Sequence, residues 1–285
     1  MRGFVFRGRA VLLLAGSSLF WGCSVSHEMS PISPCASALG TQEVFWLGPT
    51  EPRDQRANGV RCRTAGPPVV IDSPGASFGA LAPGDSLAVF SWNVAVGGGD
   101  LVSFLEREAG LTCLGPETRA SSTLPHFVLL LQEAFRRSED LPPLADPGLA
   151  ARRSVHAPHS KGDPDVQEVA ELCGLAALYV PSGRNGADAP GEERLDKGNA
   201  ILSTLPLSDF LAVENPFETE RKVSAAASVP IPGSSRLRLV SASDIDAARV
   251  GSGFGVRPPG ERQVVSVGIT RRRGIELQPF PALSL

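Results

Sequence analysis

Three side chains at the ends of apolar runs carry most of the chemistry this sequence can offer. Asn93 ends the run that begins at Leu87, Glu133 follows Phe127 to Leu131 and Gln132, and Asn199 precedes Ala200 to Ser203. Carboxylate and amide oxygens at the ends of rigid strands suit a hard cation. Magnesium takes such ligands and keeps several waters. A cation held there can neutralise the charge that grows on phosphoryl oxygens during ester hydrolysis. Asn185 and Arg221 are further polar side chains near these runs. Each residue also has a plainer reading. A glutamate ending a strand is most often solvated or salt-bridged. Asn93 suits a turn before Gly97, Gly98 and Gly99, Asn199 can cap its strand, and Arg221 and Lys222 read as solvated strand ends.

Other chemistries find less support. The four histidines are His27, His126, His156 and His159, so none follows residue 159. His156 and His159 have a spacing that could hold a metal, but a polar surface loop is the simpler reading. No CxxC or Cys/His spacing of a structural zinc site occurs. The chain carries 27 Lys and Arg against 30 Asp and Glu, a net charge of −3. There is no basic stripe, so electrostatics do not point to a nucleic-acid partner.

Stepping along the chain, an apolar strand over Leu87–Asn93 precedes a helix with Leu101, Phe104, Leu105 and Ala109 on one face and Asp100 as its N-cap. Phe127–Leu131 is a second continuous apolar strand. Asp163 and Pro164 read as the cap and first position of a helix carrying Val166, Val169, Ala170 and Cys173, which Gly174 stops. Leu175–Val180, Ala200–Ser203 and Phe210–Val213 read as strands, with a polar loop from Arg184 to Lys197. Lys222–Val229 and Arg236–Ser243 alternate about Pro230, Pro232, Gly233 and Ser234, a hairpin signal. The pattern implies an α+β fold with helices packed on a mixed sheet.

Taken in order, Ser91-Trp92-Asn93-Val94, Leu130-Leu131-Gln132-Glu133, Gly198 to Ser203, Glu218 to Val223 and Leu237 to Ser243 resemble the endonuclease/exonuclease/phosphatase superfamily of DNase I-like metal-dependent phosphoesterases. The resemblance covers about residues 86 to 263. It implies part of a four-layer α/β/β/α sandwich and a Mg2+ (or Mn2+) cofactor. It implies Glu133 and Asn93 at the metal, Asn93, Glu133 and Asn199 as catalytic residues, and Asn185 and Arg221 toward a phosphate-ester substrate of unstated class. The chain departs from the family at its end. Ser243, followed by Asp244, Ile245 and Asp246, stands where a histidine is usual, and the later Gly-Asp-x-Asn and Asp-His segments are missing. Val264 to Leu285 shows neither helical nor strand period. A frameshifted or shortened product is the expectation, with an incomplete second sheet, an open edge, and poor solubility or a need for a partner strand. The functional expectation is a phosphoesterase of doubtful activity. The alternatives are a non-catalytic surface lipoprotein or binding module on a degenerate scaffold, and an unstable fragment.

The first residues speak to location. Arg2, Arg7 and Arg9 precede a short apolar run from Val11 to Trp21, and Gly22 precedes Cys23. This resembles a bacterial lipoprotein signal, with Cys23 lipidated and the chain exported to a membrane surface, the periplasm or the exterior. Four cysteines then remain, and an oxidising compartment permits disulfides. Cys35 with Cys62 is the preferred pair. The expected divisions are residues 1–23 as signal, 24–84 as an irregular extension, 85–263 as the phosphoesterase-like domain and 264–285 as an atypical tail.

Overall fold

A computed structural model describes residues 28–72 (except 35, 37 and 41), 74, 78–83, 85–96, 99–115, 119–120, 126–142, 163–185, 194–232, 235–242, 262–270 and 274–279. The signal segment, its Cys23, the predicted disulfide partner Cys35, and Ser243 lie outside the described residues.

Apolar strands buried on both faces need a layer on each side, and two sheets meet that need. The larger has seven strands in the order β14 (Gly274–Pro279), β13 (Arg262–Thr270), β4 (Ser86–Asn93), β7 (Phe127–Arg137), β9 (Leu195–Ser203), β8 (Ala176–Asn185) and β3 (Val69–Ile71). The smaller has five, in the order β1 (Met29–Pro31), β2 (Phe45–Pro49), β10 (Ser208–Glu214), β11 (Val223–Ile231) and β12 (Ser235–Ser241). The β11–β12 hairpin joins where its alternating pattern predicts. Between the sheets lies a core that includes Trp46, Leu87, Val128, Leu178, Ile201, Phe210 and Ala225. The other face of the large sheet carries Phe90, Trp92, Leu129, Leu131 and Tyr179. Two helices cover it, α2 (Leu101–Glu108) and α3 (Val166–Leu172), and a two-stranded ribbon of β5 (Leu111–Thr112) with β6 (Arg119–Ala120) follows α2. Phe104 of α2 meets Phe90 edge-on at 5.4 Å and Trp92 at 5.2 Å. Cys113 and Cys173 form a disulfide that joins the segments following these two helices. Cys62 is also disulfide-bonded.

Local sequence explains the helix starts. Asp100 accepts from the Ser103 backbone N–H, the expected cap. For α3 the cap is Asp165, not Asp163. Asp165 accepts from Gln167 and Glu168 while the Glu168 side chain accepts from the Asp165 N–H. That reciprocal arrangement needs an acid three residues past the cap, which Asp163 lacks.

Three expectations are corrected. Residues 24–84 are not merely a tether. β2 pairs in parallel with β10 and buries Trp46, β3 pairs with β8, and α1 (Pro52–Cys62) touches β2 and β8. The segment after residue 263 has strand character, since β13 pairs antiparallel with β4 and β14 with β13. Val265, Val267 and Ile269 supply an alternation that the neighbouring arginines and prolines obscure. The polar loop after β8 is shorter than expected, because Arg184 and Asn185 still pair with Asp196 and Leu195. Among the described residues the stack is helices, sheet and sheet. A helical layer over the outer face of the five-stranded sheet is not among them, and β12 forms an edge of that sheet. No described helix is long and apolar enough to cross a membrane.

Candidate active site

The parallel pairing of β4 with β7 sets Asn93 opposite Gln132, so the carboxyl end of β4 meets β7 beside Glu133, and β7 runs on past the predicted strand end to Arg137. Asn93 Nδ2 donates to Glu133 Oε1 at 3.3 Å. Two irregularities aim this pair. Between Leu131↔Ala200 and Ala134↔Gly198 the β7–β9 register slips, so that Gln132 and Glu133 together face Asn199 alone. Such a bulge bends a strand and re-aims a side chain. Glu133 itself has φ +53°, a left-handed conformation rare for a residue with a Cβ. Past Asn93, Ala95 and Val96 have φ +48° and +58°, and Asn93 Oδ1 accepts from the Ala95 N–H at 2.9 Å. The asparagine therefore both turns the chain and contacts the glutamate.

Behind the pair, Gln132 Nε2 donates toward Ser91 Oγ at 3.4 Å and Ser241 Oγ at 3.3 Å. Ser241 Oγ donates to Leu131 O at 2.7 Å, tying the end of β12 to β7. These contacts support the bulge from the opposite sheet.

In front of Glu133 is a small open cleft, also lined by Ser182, Lys197, Glu220 and Lys222. Lys197 Nζ lies 3.2 Å from Glu220 Oε2, and Lys222 Nζ 3.9 Å from Glu218 Oε2. Gly198 forms part of the floor. A Cβ there would lie 2.7 Å from Pro181 Cα, so β9 can approach β8 this closely only with glycine.

The other sequence candidates take different positions. Asn199 is buried, and its Nδ2 donates to Val223 O at 2.6 Å. It ties the two sheets together rather than opening onto the cleft. Arg221 borders the cleft but is also buried. Its Nε donates to Glu214 Oε1 at 2.8 Å, and its Nη1 to the carbonyls of Pro181 at 2.9 Å and Ser182 at 3.0 Å. Burial lowers its pKa while Glu214 opposes the shift. It braces the cleft, with its guanidinium engaged by Glu214 and two carbonyls of β8. Asn185 ends β8 opposite Leu195 and is not among the cleft's lining residues. Lys197, Glu220, Gln132 and Ser241 were not predicted as site residues. Gln132, Glu220 and Ser241 lie within the segments that carry the resemblance, and Lys197 stands directly before one of them.

His126 is the one histidine among the described residues, and it lies at the opposite end of β7 from Glu133. It is buried, and desolvation lowers its pKa below 6.5. The folded protein therefore binds this proton less readily than the unfolded chain, and stability falls as pH drops below about 6.5. In urea titrations at pH 7.5 and 5.5, His126→Gln is expected to lose part of the wild-type decline in midpoint. An identical decline in both proteins would show that another group causes it.

Among the described residues no three His, Cys, Asp or Glu side chains converge as a metal group. Asn93 turns its amide nitrogen to Glu133 and its oxygen to Ala95, which leaves the Glu133 carboxylate as the principal oxygen donor. Magnesium commonly binds through one or two carboxylates plus substrate phosphate, keeping its waters. The donor set fits that mode and not an all-protein cage.

No protein-family model matches the chain, and no curated protein matches it. Among solved structures it is similar to an endonuclease/exonuclease/phosphatase from Beutenbergia cavernae DSM 12333, with 17% identity and a TM-score of 0.27. The match covers 55% of this chain and 37% of that one, so the chain spans just over a third of the other's length.

Proposed function

We propose that the cleft beside Glu133 is a magnesium- or manganese-dependent phosphoesterase site, in a protein exported and anchored through lipidated Cys23. The observation that carries this reading is the strained bulge within β7 that presents Glu133 beside Asn93, at the carboxyl end of β4. When bound, the cation would offset charge on the phosphoryl oxygens. Glu133 would hold it, and Asn93 would fix the carboxylate's orientation. Lys197 and Lys222 lend the cleft positive charge.

The test is magnesium-dependent hydrolysis of a generic bis-phosphodiester, with a phosphomonoester alongside. Glu133→Ala is expected to abolish magnesium-dependent turnover. Asn93→Ala should lower metal affinity or activity about 10–100-fold, as loss of an orienting partner does. Turnover unchanged by Glu133→Ala would sink the reading.

A second reading, a binding module without turnover, has its own support. His126 is remote from Glu133, so no described histidine stands ready for proton transfer at the cleft. Saturable metal binding by folded protein, lost in Glu133→Ala and unaccompanied by hydrolysis, would favour it.

A further inference from the structure

We infer that Lys197 is the receptor for a substrate phosphoryl group and that Glu220 holds its place until substrate arrives. This rests on the phosphate-ester reading above and adds the group that recognises the anion and a carboxylate that competes for it.

The two halves of the Lys197–Glu220 pair are unequally held. Lys197 precedes Gly198, whose backbone is pressed against β8, and Lys197 O accepts from Ser182 Oγ at 3.0 Å. Its side chain is 24% exposed, against 50% for Glu220. Glu220 stands outside any strand, in the connection between β10 and β11. A fixed cation thus faces a carboxylate that can swing away. The other arginine and lysine of the lining do not take this role as readily. Arg221 is committed to Glu214 and two carbonyls. Lys222 approaches Glu218 only to 3.9 Å and serves as a second positive charge on the same wall.

A phosphate monoester, like inorganic phosphate, carries more charge than a carboxylate and has three strong acceptor oxygens. Charge-assisted contacts of that kind are stronger than one solvent-exposed ammonium–carboxylate pair. Substrate would displace Glu220 from Lys197 and come to lie between that ammonium and Glu133, which line the same cleft. No bond is made or broken in this step. The ligand class is a phosphate monoester, whose terminal phosphoryl group has three accessible oxygens.

The full chain would be titrated with inorganic phosphate, without divalent metal, and followed by calorimetry and phosphorus NMR line width. Lys197→Met should lose saturable phosphate binding, and Lys197→Arg should restore part of it. Glu220→Gln should tighten binding about two- to fivefold, the fold-change matching loss of an exposed ion pair. Thermal unfolding of each variant would confirm that the fold is intact. Phosphate binding unchanged in Lys197→Met, or not tightened in Glu220→Gln, would overturn the inference. The two readings separate cleanly. Lys197-dependent phosphate binding without Glu133-dependent hydrolysis would keep the receptor and remove the catalyst. Glu133-dependent hydrolysis with unchanged KM and kcat in Lys197→Met would do the reverse.

Discussion

Arg221→Met is expected to destabilise the protein by about 3–5 kcal/mol, because it strands a buried carboxylate. Glu214 is buried and accepts from Arg221, and the guanidinium also satisfies two carbonyls of β8. It further stacks over Trp46 at 5.6 Å, so one side chain joins β2, β8 and the β10–β11 connection. Removing it uncovers four acceptor contacts at once. Replacing both charges, in Arg221→Met with Glu214→Leu, should recover much of the loss, since paired apolar groups of similar volume are tolerated where a lone charge is not. Urea unfolding of the two single variants and the double variant forms the cycle that measures this coupling. A single variant with wild-type stability would mean that Glu214 reaches water, contrary to its burial. The outcome also bears on the cleft, whose floor Arg221 braces.

The second large effect concerns the Cys113–Cys173 disulfide. Its two ends are 60 residues apart in sequence, and both are buried in the core beneath α2 and α3. Closing a loop of that length restricts the unfolded chain by about 4 kcal/mol in the chain-entropy account. Cys113→Ala with Cys173→Ala should lower stability by roughly that amount, measured against wild type under oxidising conditions. Using the double substitution rather than a reductant leaves the Cys62 disulfide intact. A midpoint that does not move would show that the unfolded chain is already compact around these helices.

How legible the fold is depends on how local its determinants are. The α2 helix can be read from Leu101, Phe104 and Leu105 at helical spacing behind Asp100. The strand ending at Asn93 and the one through Glu133 can be read from their apolar runs, and with them half of the site, although the second runs on to Arg137. The β2 strand cannot. Phe45-Trp46-Leu47 is short and bounded by turn residues, and its place depends on β10, far along the chain. Strand preference is largely a matter of such partners. The bulge is equally hidden, since nothing in Gln132-Glu133 announces a left-handed backbone. Asn199 and Arg221 show the converse problem. Their residue types suggest a polar site, but burial and partners decide their roles, and both are properties of the assembled sheets.

The parallel pairing of β2 with β10 also dictates a sequence of events in time. Phe45 to Leu47 meet Leu211 to Val213, so the five-stranded sheet cannot close around Trp46 until most of the chain is present. Contacts between such distant segments carry a large loop-closure cost and slow the folding reaction. The hairpins of β11 with β12 and of β8 with β9, and the pairing of β9 with β7, can form beforehand, which makes β2 a late arrival although it is among the first residues synthesised. Until it docks, the groove it fills is a vacancy for any extended segment with a tryptophan-sized anchor, and a chain beginning at residue 85 would carry that vacancy permanently.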